Sequence, residues 1–167
     1  MMTQLVIVGN GMAAVRLGEP LMQRAPTRYA ITLIGDEPGV AYNRILLSPV
    51  LGGEKSAADT TLHPLAWYQA HGVTVLSNEP VLAVNVEQRT VTTQRQQLCW
   101  DELVFATGSV PFIPPINGHQ QPHVHAFRTQ KDVEAILRHH GPAVVLGGGL
   151  LGVEAAAALA QRGIPVT

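Results

Sequence analysis

A short apolar run ending in a glycine turn occurs twice in this chain, and no other feature of the sequence restricts its fold so strongly. Leu5-Val6-Ile7-Val8 leads into Gly9-Asn10-Gly11-Met12-Ala13-Ala14, and Ala143-Val144-Val145-Leu146 leads into Gly147-Gly148-Gly149-Leu150-Leu151-Gly152. A continuous apolar run closed by glycine is the pattern of a parallel strand buried on both faces. In the turn that follows, the first glycine permits a sharp bend and the second leaves room for a pyrophosphate to approach the backbone. The third small residue lets helix and sheet pack closely. The helix N-terminus then offers unpaired N–H groups and the favourable end of its dipole to an anion. The repeat therefore predicts two nucleotide-binding units, not a solenoid array.

The intervening sequence fits an α/β fold. Met12 to Arg24 reads as a helix with Ala13, Ala14, Val15, Leu17 and Leu21 available for its packed face, and Pro20 predicts a kink or early end. Tyr29 to Ile34 reads as a second strand closed by Gly35-Asp36-Glu37-Pro38-Gly39, completing a β-α-β unit with a right-handed crossover. Ser48-Pro49 predicts a helix start, serine as cap and proline in the first turn. Pro64 to His71 reads as a short helix and Val73 to Leu76 as a further parallel strand. Val81 to Val86 and Thr90 to Thr93 read as antiparallel strands joined through Glu87-Gln88-Arg89. Leu103 to Ala106 is a last buried strand before Thr107-Gly108-Ser109, and Pro111, Pro114, Pro115 and Asn117-Gly118 form a stiff connector. Lys131 to His140 and Leu150 to Gln161 read as helices. The expected fold is a Rossmann-like nucleotide-binding domain with a parallel sheet and a small antiparallel excursion, followed by the start of a second Rossmann-like unit. The expected divisions are 1–112, a connector and helix over 113–139, and an incomplete second unit over 140–167.

Composition excludes several classes. The chain has 167 residues, 46% hydrophobic and 14% charged, which describes an apolar-cored globular protein and not a disordered one. A formal charge of −1 with both signs interspersed provides no electrostatic footprint for nucleic acid or an anionic membrane. Cys99 is the single cysteine, which leaves no intrachain disulfide and no Cys-rich metal site. Its neighbours Leu98 and Trp100 make it an expected packed residue. Met1-Met2-Thr3-Gln4 carries no basic leader region, and no run approaches the ~18 apolar residues of a membrane span, so a cytoplasmic protein is expected. His119, His123 and His125 lie in a polar loop with no acidic or thiol ligand beside them, and no metal site is expected there.

Three features surround the first glycine turn. A strand precedes it, a helix follows, and the acids Asp36 and Glu37 stand just past the second strand, where a carboxylate accepts hydrogen bonds from ribose hydroxyls. Either acid could serve. In the second unit, the position that separates NADH from NADPH lies past Pro165-Val166-Thr167.

Taken together, Gly9-x-Gly11-x-x-Ala14, Ala106-Thr107-Gly108-Ser109 before prolines, and Gly147-x-Gly149-x-x-Gly152-x-Glu154 resemble the pyridine-nucleotide-dependent FAD oxidoreductases, with their two-dinucleotide fold of the glutathione reductase type. The likeness covers essentially the whole chain. It implies that Gly9, Gly11, Met12, Ala13, Ala14, Asp36, Glu37, Val81, Ala106, Thr107 and Gly108 contact FAD. It also implies that Gly147, Gly149, Gly152 and Glu154 belong to an NAD(P)H site, Glu154 facing nicotinamide and flavin; an early-helix acid favoured by the dipole is the alternative for Glu154.

Ala41-Tyr42-Asn43-Arg44-Ile45-Leu46-Leu47-Ser48-Pro49 is similar to the branch of that family that reduces one-electron carriers or nitrite. There the likeness implies that Arg44 faces the FAD pyrophosphate, a solvated surface arginine being the alternative. Trp67-Tyr68 before Gly72-Val73-Thr74-Val75 resembles the nitrite reductase large subunit, with core packing as the expected physical role of the pair. Departures narrow the activity. No Cys-x4-Cys pair exists, and Pro49 stands where relatives place a redox cysteine or a lysine that pairs with the glutamate matching Glu154. The likeness thus implies hydride transfer from NAD(P)H to FAD, then electrons to an iron–sulfur or sirohaem domain or a small carrier protein, as in nitrate assimilation. A rubredoxin- or ferredoxin-reductase part is the alternative, and so is a nucleotide-binding piece without activity of its own. The apolar helix Leu150 to Gln161 is expected to favour homo-oligomer formation.

Overall fold

The computed structural model describes residues 1–167. These fall into two compact units, residues 1–42 with 61–109, and residues 43–60 with 110–167. The linear reading gave 43–60 to the first unit, whereas its contacts lie with the second.

In the first unit, β1 (Thr3–Val8), β2 (Tyr29–Ile34), β3 (Thr74–Leu76) and β7 (Glu102–Phe105) form a parallel sheet in the order β3-β2-β1-β7. β1 is central, and Leu5, Val6, Ile7 and Val8 are all buried. Alternation sends them to opposite faces. Leu5 and Ile7 join Ile31, Leu33, Ala14, Val15 and Tyr68 on the side of α1 (Met12–Arg24) and α3 (Leu65–Ala70). Val6 and Val8 join Ile34 and Val91 on the side of the small antiparallel sheet. Its strands β4 (Val81–Asn85), β5 (Thr90–Thr93) and β6 (Gln97–Cys99) lie in that order. This double burial is why β1 reads as an unbroken apolar run. Each side chain so buried contributes about 1.5–3 kcal/mol.

Pro20 does not end α1, which continues to Arg24. Leu21 and Met22 beyond it pack against the core cluster of Leu5 and Ile7, which offsets the loss of one helical hydrogen bond. Trp67 and Tyr68 are packing residues, in edge-to-face contact with centroids 5.2 Å apart. Cys99, expected to be packed, is exposed at the edge strand β6.

In the second unit, Asn43 caps a 3₁₀ turn over Arg44–Leu46 through its side chain, and α2 (Leu47–Gly52) follows. Ser48 therefore lies inside the helix and is not its cap. α2 packs on α5 (Leu150–Gln161) so closely that a Cβ on Gly52 would stand 3.6 Å from the Ala158 backbone. The Arg162 guanidinium donates to the Leu51 and Val50 carbonyls at the C-terminal end of α2. α4 (Gln130–Leu137) begins with a reciprocal capping box between Thr129 and Asp132. Gln130 binds the returning segment, donating to Thr60 Oγ1 at 2.9 Å. The expected strand Ala143 to Leu146 is an isolated parallel bridge between Ala143 and Val166. Its pairing runs only over Pro165–Thr167, too few residues for a regular strand. No helix is long and apolar enough to cross a membrane.

Candidate nucleotide site at the carboxyl ends of the parallel strands

In the order β3-β2-β1-β7, chain direction across the sheet reverses beside β1, and ligands of open α/β sheets sit outside the carboxyl ends at such a reversal. The strand ends there are tied by backbone bonds: Ala106 N–H donates to Val8 O at 2.8 Å, Gly9 N–H to Ile34 O at 2.7 Å, and Gly35 N–H to Leu76 O at 2.8 Å.

Gly9 has φ +125°, and a Cβ on it would lie 2.1 Å from the Ala106 carbonyl oxygen. The protein itself demands glycine there. Gly11 is different: φ is −117°, open to any residue, and a Cβ would meet no atom within 4 Å. Neither conformation nor packing within the chain requires glycine at 11. It also opens α1 without a side-chain cap and without an acid in the first turn. The N–H groups of Gly11, Met12, Ala13 and Ala14 thus have no intrahelical acceptors. A bare helix N-terminus behind an open glycine is suited to a phosphate group. Ala14 is fully buried below the turn.

Beyond β2 the two acids differ. Asp36 is exposed. Glu37 is half-buried, and its Oε2 accepts a 2.7 Å hydrogen bond from the hydroxyl of buried Tyr42. Asn10, between the glycines, lies against Gly35 and donates from Nδ2 to Gly39 O at 3.3 Å, while its buried Oδ1 has no partner. The chain after β3 closes this side, with Asn78 N–H donating to Glu37 O and Glu79 N–H to Gly35 O, both at 2.9 Å. Glu79 is buried, and hydrogen bonds from the Thr93 hydroxyl and the Gln96 amide hold its carboxyl below the usual range. Val81 starts β4 on this edge. Thr107 and Gly108, with φ +75° at Gly108, are exposed past the end of β7. One edge therefore gathers Gly9 to Ala14, Asp36, Glu37, Val81 and Ala106 to Gly108. The roles of Tyr42, Asn10 and Glu79 escaped the sequence reading; the short polar spacing of Asn10 between two glycines was the available signal.

The remaining candidates lie in the second unit. Arg44 donates from Nη1 to Arg128 O at 3.1 Å. Gly147 has φ +121° with open space beside it, and Gly149 is likewise open. A Cβ on Gly152 would stand 2.1 Å from Gly147 O, so this third glycine is needed for closure of the turn itself. Glu154, on the second turn of α5, accepts a 2.8 Å hydrogen bond from Ser48. Leu150, Leu151 and Val153 are exposed while Ala155, Ala158 and Leu159 are buried, so α5 is covered on one face.

The sequence model of the pyridine nucleotide-disulphide oxidoreductase family matches residues 3–167. A nitrite reductase [NAD(P)H] of Bacillus subtilis is 45% identical over 98% of this chain and 21% of its own length. The assimilatory nitrate reductase electron transfer subunit of the same organism is 42% identical over 98% of this chain and 22% of its own length. The chain thus spans about a fifth of the length of these two relatives. Among solved structures, putidaredoxin reductase in its covalent complex with putidaredoxin superposes with a TM-score of 0.88 and 29% identity, covering 98% of this chain and 41% of that one.

Proposed function

The chain belongs to the pyridine nucleotide-disulphide oxidoreductase family, and on that premise we propose that its first unit holds FAD for NAD(P)H-dependent electron transfer. The observation that carries this reading is Gly11, whose lack of a side chain serves nothing in the protein but leaves an uncapped helix N-terminus open to a pyrophosphate. The order of the strands orders the cofactor. The N–H groups of Gly11, Met12 and Ala13 would hold the pyrophosphate, with Gly9 and Ala14 shaping the turn. Asp36 and Glu37 would accept from the ribose hydroxyls, and the chain that leads to Val81 would border the base. The backbone of Ala106, Thr107 and Gly108 would border the flavin half.

Bound FAD supplies the exchange between a two-electron donor and a one-electron acceptor. The chain's own part is to bind, orient and shield; no side chain is required as nucleophile or general base. Gly147, Gly149 and Gly152 repeat the turn for NAD(P)H, with Glu154 held by Ser48 beside it. The relatives support placing this chain within the electron-input part of a nitrite reductase, and we propose an iron–sulfur or sirohaem domain as its acceptor. A reductase of a small electron-carrier protein is the second reading, favoured by the likeness to putidaredoxin reductase in complex with putidaredoxin.

Anaerobic addition of NADH or NADPH to the FAD-loaded chain tests the reading. Bleaching of the flavin band by either nucleotide supports it. A flavin-loaded chain bleached by neither contradicts the hydride-transfer claim for these residues.

A further inference from the structure

The segment Ala143 to Leu146, which leads into the second glycine turn, is paired along one edge only. On that edge Ala143 N–H donates to Pro165 O at 2.8 Å, Thr167 N–H to Ala143 O at 3.0 Å, and Val145 N–H to Thr167 O at 2.9 Å. Alternate residues of a paired strand face alternate neighbours, so the backbone groups of Val144 and Leu146 belong to the other edge. Neither residue makes a backbone hydrogen bond within the chain. Their side chains are free as well, 80% and 72% exposed. Val145 between them is half-buried, its Cγ1 on the side of Gly152. An open apolar strand edge is a template for pairing with another chain. The charges and prolines that blunt such edges are missing here. Residues 139–153 contain no Asp, Glu, Lys or Arg, and no proline falls within 143–146.

We propose that this edge is a self-association surface, on which Val144 and Leu146 of one copy pair antiparallel with Leu146 and Val144 of a second copy about a two-fold axis beside Val145. The register follows from which backbone groups are free. In an antiparallel ladder a directly opposed pair exchanges both of its N–H···O bonds, so every free N–H and C=O of the two residues is satisfied on both copies. The four side chains then share one face and cover one another. A second copy suits the surface better than a charged or polar partner does. The segment has no charge to offer, and a two-fold axis matches it to itself. No nucleotide is required for the pairing.

Sedimentation velocity of the full chain over a concentration series, joined to amide hydrogen exchange, tests the pairing. The expected result is a monomer–dimer equilibrium in which the Val144 and Leu146 N–H groups are protected in the dimer and exchange freely on dilution. Val144→Lys sets a charge on the edge and is expected to weaken the dimer by about tenfold or more. Val144→Ile keeps the edge apolar and is expected to leave the dimer within about twofold. The side chain at 144 is exposed, so circular dichroism should show the wild-type fold in both variants. If Val144→Lys does not fold, the exchange of the wild-type Val144 and Leu146 N–H groups decides alone. A chain that stays monomeric up to its solubility limit overturns the proposal. So does a dimer that a folded Val144→Lys leaves as tight as wild type, or one whose Val144 and Leu146 N–H groups exchange as fast as in the monomer. Growth past the dimer into open-ended aggregates also overturns it, because pairing about a two-fold axis closes.

Discussion

Replacing Gly9 or Gly11 with alanine adds the same methyl group two residues apart, and the structure assigns the two changes opposite consequences. At Gly9 the new Cβ lies 2.1 Å from Ala106 O, so that carbonyl must retreat about 0.9 Å to reach even 3.0 Å. It is anchored by the Ala106 N–H bond to Val8 O at 2.8 Å. Forcing the contact costs about 1–3 kcal/mol, and holding a side chain at φ +125° costs about 1–3 kcal/mol more. At roughly 2–4 °C per kcal/mol for a chain of this size, the melting temperature falls by about 4–24 °C. At Gly11 the methyl group enters open space at an allowed φ. Losing glycine at the helix cap costs about 0.5–1 kcal/mol, and the stiffer unfolded chain returns about 0.4–1 kcal/mol. Net stability without ligand is therefore nearly unchanged. With FAD at a hundred times its dissociation constant, the unsubstituted chain gains about 2.7 kcal/mol, and Gly11→Ala forfeits that gain because the methyl group stands where the pyrophosphate approaches. Thermal denaturation with and without FAD reads both effects. The reasoning is refuted if Gly11→Ala melts as low as Gly9→Ala without ligand, or if it keeps the full FAD-dependent rise.

Three further outcomes are expected. Tyr68→Phe leaves the melting temperature unchanged or raises it, by up to about 1 kcal/mol of stability, because the buried hydroxyl has no hydrogen-bond partner. Arg162→Met removes the donors to Val50 and Leu51 carbonyls and destabilises α2 on α5 by about 1–3 kcal/mol, read as faster hydrogen exchange at Gly53 and Glu54, whose N–H groups bond Val50 and Pro49 carbonyls. Glu79 has a folded-state pKa below its ordinary 4.5, so its ionised form stabilises the fold fully above that pH. That contribution is lost as pH falls through the lower folded value, and the gap in melting temperature between wild type and Glu79→Gln should narrow on acidification below pH 4.5.

The parts of the fold legible in the sequence are those governed by local period. Met12–Arg24, Tyr29–Ile34 and Leu150–Gln161 form the expected helix, strand and helix because burial of one helix face or both strand faces writes a pattern into adjacent residues. Gly9 and Gly11 were legible together as a turn, but only the structure separates the glycine the protein needs from the one that leaves space for a ligand. What local period cannot carry is pairing across the chain. Ser48 looked like a cap, yet its hydroxyl bonds Glu154, 106 positions away. Residues 43–60 read as a continuation of the first unit, yet Gln130, Arg128 and Arg162 hold them in the second. Pro20 pointed to a kink or an early end because the penalty is local, whereas the packing of Leu21 and Met22 that lets the helix run on to Arg24 is tertiary. Gln97–Cys99, three residues long, forms a strand only because β5 is there to pair with it.

If the β1–α1 turn and its neighbours at the strand ends form an FAD site, the purified chain should hold flavin. The visible absorbance of the chain, equilibrated with excess FAD and then freed of unbound flavin, reads this. A retained flavin band approaching one equivalent per chain is expected, abolished in Gly11→Ala while the fold persists. A colourless wild-type chain with an intact fold, or a Gly11→Ala chain that retains as much flavin as wild type, contradicts it.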